Sequence, residues 1–271
     1  MPKVTEERPQ SLPEYVELVE KHQAKAPESV WYRGCGSAKF KLLPSLYRHI
    51  KAVTPDDLAT LERNLMTRFR QRSLPYHSRS LENDWDTLFF MQHYGVPTRL
   101  LDWTENPLIA LHFALMTAEA KVQKSSRPSY SADAIVWMFD PVSWNRVALR
   151  HVSFAGGVLT PDDDALRGYR PTPKFAGMHN QPVALYGAHN SARIVAQQGV
   201  FTIFGREAKP MEDVFAVEPF PPHCLVKVTI RRSLIPTMRN SLLKHGITET
   251  VVFPDLEGLA REIKRVFGFG R

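Results

Sequence analysis

The sequence predicts an α+β fold, a single domain with a mixed or antiparallel sheet core and flanking helices. Strand-like and helix-like segments are intermixed without the regular strand–helix–strand alternation that marks a doubly wound parallel sheet. A hydrophobic content of 43% and a charged content of 23% over 271 residues are those of a globular protein with ample core. No internal repeat or low-complexity segment interrupts the pattern.

Residues 11–24 read as a short amphipathic helix. Val30-Trp31-Tyr32-Arg33-Gly34 reads as the first strand, ending at a glycine. Thr54-Pro55-Asp56-Asp57 starts a helix: a capping threonine, proline at the first helical position, acids in the first turn. Leu58, Leu61, Leu65 and Phe69 recur at helical spacing, which extends that helix over 55–72. A second helix over 82–94 stops at Gly95-Val96-Pro97. An extended piece over 100–103 leads into residues 105–120, apolar around most of a helix surface and so buried on more than one side. Residues 134–139 form a core strand. Residues 141–191 lack periodicity and are expected to be a long functional loop, a lid or binding loop. Strands over 192–204 and 224–230, a helix over 234–245 stopped by Gly246, a short strand over 251–253 and an amphipathic helix over 255–267 complete the chain. The expected division is a helical extension over 1–27 and the α+β domain over 28–271.

Composition narrows the function classes. No run of roughly 18 apolar residues occurs, so no membrane-spanning helix is expected. The start MPKVTEERPQ lacks the apolar stretch of a secretory signal. Two cysteines, Cys35 and Cys224, exclude a disulfide framework or cysteine zinc site and point to a reducing cytoplasm. Ten scattered histidines show no paired-ligand spacing, so no metal is expected. The net charge of +7 favours an anionic partner: nucleic acid, a dinucleotide or a phosphorylated substrate. Arginines are dense at 63, 68, 70, 72 and 79. A second basic group comprises Arg231, Arg232, Arg239, Lys244, Arg261, Lys264 and Arg265. Each is either a solvated helix face or a phosphate-tracking surface.

Polar residues concentrate where the flanking sequence is apolar. Gln92, His93 and Arg99 are followed by Asp102, Thr104 and Asn106. Each has a structural and a functional reading. Thr104 is placed to cap the helix beginning at Glu105, with Asn106 in support. Asp102 is the nearest carboxylate to Arg99, which needs one if buried. Gln92 and His93 at a helix end satisfy orphan carbonyls or contact a ligand. Arg33, after two aromatics and before Gly34 at a strand end, is placed to grip phosphate or carboxylate while the glycine backbone approaches the ligand.

Trp31-Tyr32-Arg33-Gly34 resembles the strand that gives the FRG (Phe-Arg-Gly) domain its name, with Tyr32 in place of the phenylalanine. Leu43-Pro44-Ser45-Leu46-Tyr47-Arg48 resembles its next element, and the run from Met91 to Pro107 is close to its signature. Blocks from Arg193 to Phe201 and from Phe253 to Leu259 look like its later segments, so the resemblance runs over about 28–262. The block order is more distantly similar to the ADP-ribosyltransferase superfamily. That similarity implies NAD as substrate and no metal. Arg33 would sit on the pyrophosphate, Thr104 or Asn106 on the ribose, and Ala110-Leu111-His112-Phe113-Ala114 on the helix that follows. Where those enzymes carry a catalytic glutamate on a late strand, this chain has Gln197 and Gln198. Glu249 is the nearest late carboxylate. The expectation is therefore an NAD-dependent ADP-ribosyltransferase-like enzyme, a toxin or anti-phage effector, acting on nucleic acid or nucleotides. Such a protein implies an antitoxin or regulatory protein partner. A non-catalytic nucleotide- or nucleic-acid-binding sensor module is the alternative. A metal-dependent nuclease using Asp102 and Asp162-Asp163-Asp164 is a third class.

Overall fold

Strand β1 (Thr5–Glu7) and helix α1 (Leu12–Gln23) precede the strand that carries Arg33, β2 (Trp31–Cys35). The computed structural model describes residues 4–26, 28–52, 54–77, 81, 83–121, 129–172, 174–188 and 191–269. Arg79 and Glu82 lie outside them. Helix α2 (Pro55–Ser73) begins with a complete capping box: Thr54 Oγ1 accepts from the Asp57 amide, and the Asp57 carboxylate accepts from the Thr54 amide. Helix α3 (Asp84–His93) is capped by Asn83 and ends where Gly95 adopts φ +72°, as the Gly-Val-Pro stop predicts.

Strand β3 (Leu100–Thr104) feeds helix α4 (Pro107–Met116). A two-residue ribbon, β4 (Ala120–Lys121) with β5 (Ser129–Tyr130), precedes the fully buried β6 (Ala134–Phe139) and α5 (Pro141–Ala148). Then come β7 (Val183–Leu185), α6 (Ala192–Gln197), β8 (Gly199–Ile203), α7 (Met211–Val217) and β9 (Leu225–Ile230). Helices α8 (Ile235–Lys244), α9 (Glu249–Val252) and α10 (Leu256–Val266) close the chain.

Seven strands form one mixed sheet in the order β1-β9-β6-β2-β3-β8-β7, in which β1 and β9 run parallel and the other neighbours antiparallel. The fold is α+β, as predicted. Period-2 alternation sorts side chains to the two faces. Tyr32, Val136, Met138 and Val228 meet α1, α4 and α8 on one face; Trp31, Cys35, Trp137 and Phe139 join the core under α2, α3, α5 and α7 on the other. Residues 4–26 are part of this packing: β1 lies on the sheet edge beside β9, and Leu12, Tyr15 and Val19 enter the core.

Three segments differ from the sequence reading. Residues 141–191 are not a structureless loop. They hold α5, several 3-10 turns and β7, pinned by isolated anchors (Leu159, Leu166, Tyr169, Phe175) whose spacing follows no period. The 192–204 strand is a helix and a strand: Ser191 caps α6, and Gln198, at φ +46°, turns the chain into β8. That strand lies beside β3 and β7. Residues 249–252 are helical, so Glu249 opens a helix and not a strand.

Gly34 makes room for α4. A Cβ there would stand 1.8 Å from the Ala110 carbonyl oxygen and 2.6 Å from the Ala114 nitrogen, both backbone atoms that cannot swing aside. The glycine lets helix and strand touch, a packing role beside its place in the lining of the cleft described below. Gly34→Ala is expected to lose about 3 kcal/mol, the upper end for an overpacked core position, read as a lower melting temperature. An unchanged transition would show that α4 shifts freely on the sheet.

Candidate functional site

The sheet is split at its centre. Strands β2 and β3 share the single register pair Tyr32↔Thr104, whereas β2 with β6 and β3 with β8 each keep five. Beyond that pair the two strands diverge. The Arg33 guanidinium reaches across the gap, its Nη1 donating to the Asp102 carbonyl. A backbone group that the ladder leaves unpaired is satisfied by a side chain.

A cleft of about 620 Å³ opens at this split, within the size range of small-molecule sites. Arg33, Gln92, His93, Asp102, Thr104 and Gln197, all singled out in the sequence, line it. Asp102 is half exposed there, with Arg33 Nη1 3.9 Å from its Oδ2. Gln92 Nε2 donates to the same oxygen at 2.7 Å, while Gln92 Oε1 accepts from Thr98 Oγ1 at 2.5 Å. Gln92 thus fixes the Asp102 carboxylate from helix α3. The His93 ring lies 3.5 Å from Ser191 Oγ, and its pKa is lowered by burial and then by nearby Arg193, partly offset by Asp102. The imidazole is therefore neutral at pH 7.

Thr104 lines the cleft but its hydroxyl is engaged. It donates to the Gln197 carbonyl at 2.6 Å and accepts from the Asn106 amide at 3.0 Å. The helix cap is Asn106, not Thr104. Asn106 Oδ1 accepts from the Leu108 and Ile109 amides, because the strand continues through Thr104 and α4 begins at Pro107. Asn106 is accordingly outside the cleft lining. The Gln197 amide donates to the Val252 carbonyl at 3.1 Å, and Gln198 serves as the left-handed C-cap of α6. Glu249 is buried away from the lining, and both of its oxygens accept from Arg265 Nε at 2.8 and 2.9 Å.

Arg99 also lies elsewhere. It is fully buried, and its carboxylate is Glu62 on α2, 2.7 Å away, rather than Asp102. Three positions apart along extended chain, residues 99 and 102 point to opposite sides. The Phe204 and Tyr169 carbonyls take further Arg99 N–H groups at 2.8 and 2.7 Å.

The structure adds residues that local sequence did not mark. Arg193 and Arg261 both lie over the Phe253 ring, at 4.4 and 4.8 Å from its centroid, and all three face the cleft with Tyr94 and Glu257. Arg261 pairs with Glu257 at 2.5 Å. Arg193 has no ion pair among the described residues. Arg193 and Phe253 do open the two later blocks of the family resemblance, the one available sequence signal. With three guanidiniums against two carboxylates, the cleft carries a positive surplus.

Each basic stretch has members engaged in ion pairs, Arg261 and Arg265 in the second being taken by Glu257 and Glu249. Arg70 is taken by Asp84 and Thr87, at 2.6 and 2.9 Å, while Arg63, Arg68 and Arg72 are exposed. In the acidic run, Asp163 closes a turn on Thr160 and Asp164 pairs with Arg167. Among the described residues no group of three or more His, Cys, Asp or Glu is placed to hold a metal, and no helix is long and apolar enough to cross a membrane.

No curated protein and no solved structure matches the chain. One family model does, over 28–123, narrower than the span of the sequence resemblance. That stretch supplies Arg33, Gln92, His93, Asp102 and Thr104, the β2–β3 side of the cleft; Arg193, Phe253 and Arg261 come from beyond it. The model is that of the FRG domain, and residues 28–123, which hold the split strands and the glycine-packed helix, are similar to it.

Proposed function

We propose that the cleft binds a nucleotide, and that NAD is the one it takes. The observation that carries this is Arg193, stacked on Phe253, unpaired with any carboxylate among the described residues and facing the same cleft as Arg33. A pyrophosphate placed between the two guanidiniums meets charge from both sides. Tyr94 on the rim offers an aromatic face to a base or nicotinamide ring. The reaction supported by the resemblance is ADP-ribosyl transfer to nucleic acid or a nucleotide. Glu249 is sealed in its pair with Arg265, so the carboxylate that remains in the cleft beside Arg33 is Asp102, oriented by Gln92. It would stabilise the positive charge that develops as nicotinamide leaves. The sensor-module reading draws on a separate observation: the Gln197 amide and the Thr104 hydroxyl are both committed to backbone carbonyls.

Calorimetry with NAD, ADP-ribose, ADP and ATP tests binding, and nicotinamide release with DNA, RNA or cell extract tests turnover. Asp102→Asn is expected to cut release 100-fold or more, about 2.7 kcal/mol, with NAD affinity retained. Binding without release in the wild type selects the module. No binding of any of the four at millimolar concentration removes the NAD reading and the nucleotide-binding form of the module.

A further inference from the structure

Helix α10 is packed the wrong way round for an amphipathic helix. Its charged residues face the body: Arg265 holds Glu249, Glu262 accepts from the Thr250 amide and hydroxyl at 3.1 and 2.5 Å, and Arg261 covers Phe253. Its apolar residues face solvent. At about 100° per residue, Leu256, Leu259, Ile263, Val266 and Phe267 fall within one arc of about 100°. Leu256 is 83% exposed, Ile263 48% and Phe267 72%, and none of the five enters the core. An apolar stripe of this kind is normally the buried face, and contiguous exposed apolar surface marks an interaction site.

We propose that this stripe is the contact of a two-fold homodimer, α10 packing antiparallel against α10 of a second copy. Two features select a second copy. With Phe269, 80% exposed just beyond the helix, the stripe offers on the order of 700 Å² of accessible surface per copy, near the ~800 Å² per partner of a standard interface. Its flank is also self-complementary in charge. Glu257 and Lys264 are seven residues apart and share one side of the stripe. In an antiparallel pair centred near the middle of the stripe, Glu257 of each copy lies opposite Lys264 of the other, and the contact occurs twice by symmetry. Lys264 has no ion pair among the described residues, and the pair that now holds Glu257 is the exposed contact with Arg261. Since Glu257 and Arg261 also line the cleft, the interface borders the site.

Sedimentation of the full chain tests this. The wild type is expected to be a dimer at micromolar concentration. Ile263→Glu should raise the dissociation constant about 100-fold or more, with a melting temperature equal to the wild type's at concentrations where both are monomeric, because the side chain touches no core. Glu257→Lys should weaken the dimer about tenfold, and Glu257→Lys combined with Lys264→Glu should restore it. A wild type that stays monomeric at high micromolar concentration overturns the proposal. A monomer that co-floats with phosphatidylserine–phosphatidylcholine vesicles overturns it in favour of a lipid surface. A dimer indifferent to Ile263→Glu uses another face and overturns it too.

Discussion

Arg99→Ala is expected to lose about 3–5 kcal/mol of stability, the cost of breaking a buried ion pair from one side. The guanidinium is fully buried between Glu62, the Phe204 and Tyr169 carbonyls and the Phe175 ring. Its removal strands the Glu62 carboxylate, only 2% exposed, and unpairs two carbonyls. A chain of this size has roughly 5–15 kcal/mol in total, so the variant should unfold at far lower urea or fail to accumulate. Arg99→Met with Glu62→Leu removes both charges and should recover only part of the loss, since the two carbonyls stay unpaired. Asp102→Asn should stay within about 0.5 kcal/mol of the wild type, as an exposed position does. Equal destabilisation of Arg99→Ala and Asp102→Asn would restore the pairing that the sequence implied.

Arg33→Ala and Arg193→Ala should each weaken NAD binding roughly 10- to 150-fold, the range for a charge-assisted hydrogen bond of about 1.5–3 kcal/mol. The double variant should fall close to the product if the residues grip separate phosphates. Their stability costs differ. Arg193 touches Phe253 from solvent, so Arg193→Ala should hardly move the melting temperature. Arg33 also ties β3 to β2 through the Asp102 carbonyl, so a modest fall of about 1 kcal/mol accompanies Arg33→Ala. Full binding in the double variant would place the ligand outside the split. Unfolding of Arg33→Ala alone would make Arg33 a structural strut.

What the sequence determined by itself was whatever depends on neighbours along the chain. The Thr54–Asp57 capping box, the Gly95 and Gly246 stops and the buried strand over 134–139 rest on contacts within a few residues, and they appear where those rules place them. Part of the cleft was legible too, because Gln92, His93, Asp102 and Thr104 belong to short polar runs amid apolar sequence and Arg33 ends a strand of aromatics before a glycine. Tertiary structure alone decided the partners. Arg99 chose Glu62, 37 residues away, over a carboxylate three residues away, because alternation along extended chain sends 99 and 102 to opposite sides. It also decided that Glu249 is spent on Arg265, 16 residues further on, and that 192–197 is helical, since one capped turn and a left-handed Gln198 outweigh β-propensity there. The meeting of Arg193 and Arg261 on Phe253 could not be read locally. Cation–π contacts follow from where α6, α9 and α10 pack, and no local pattern encodes that packing.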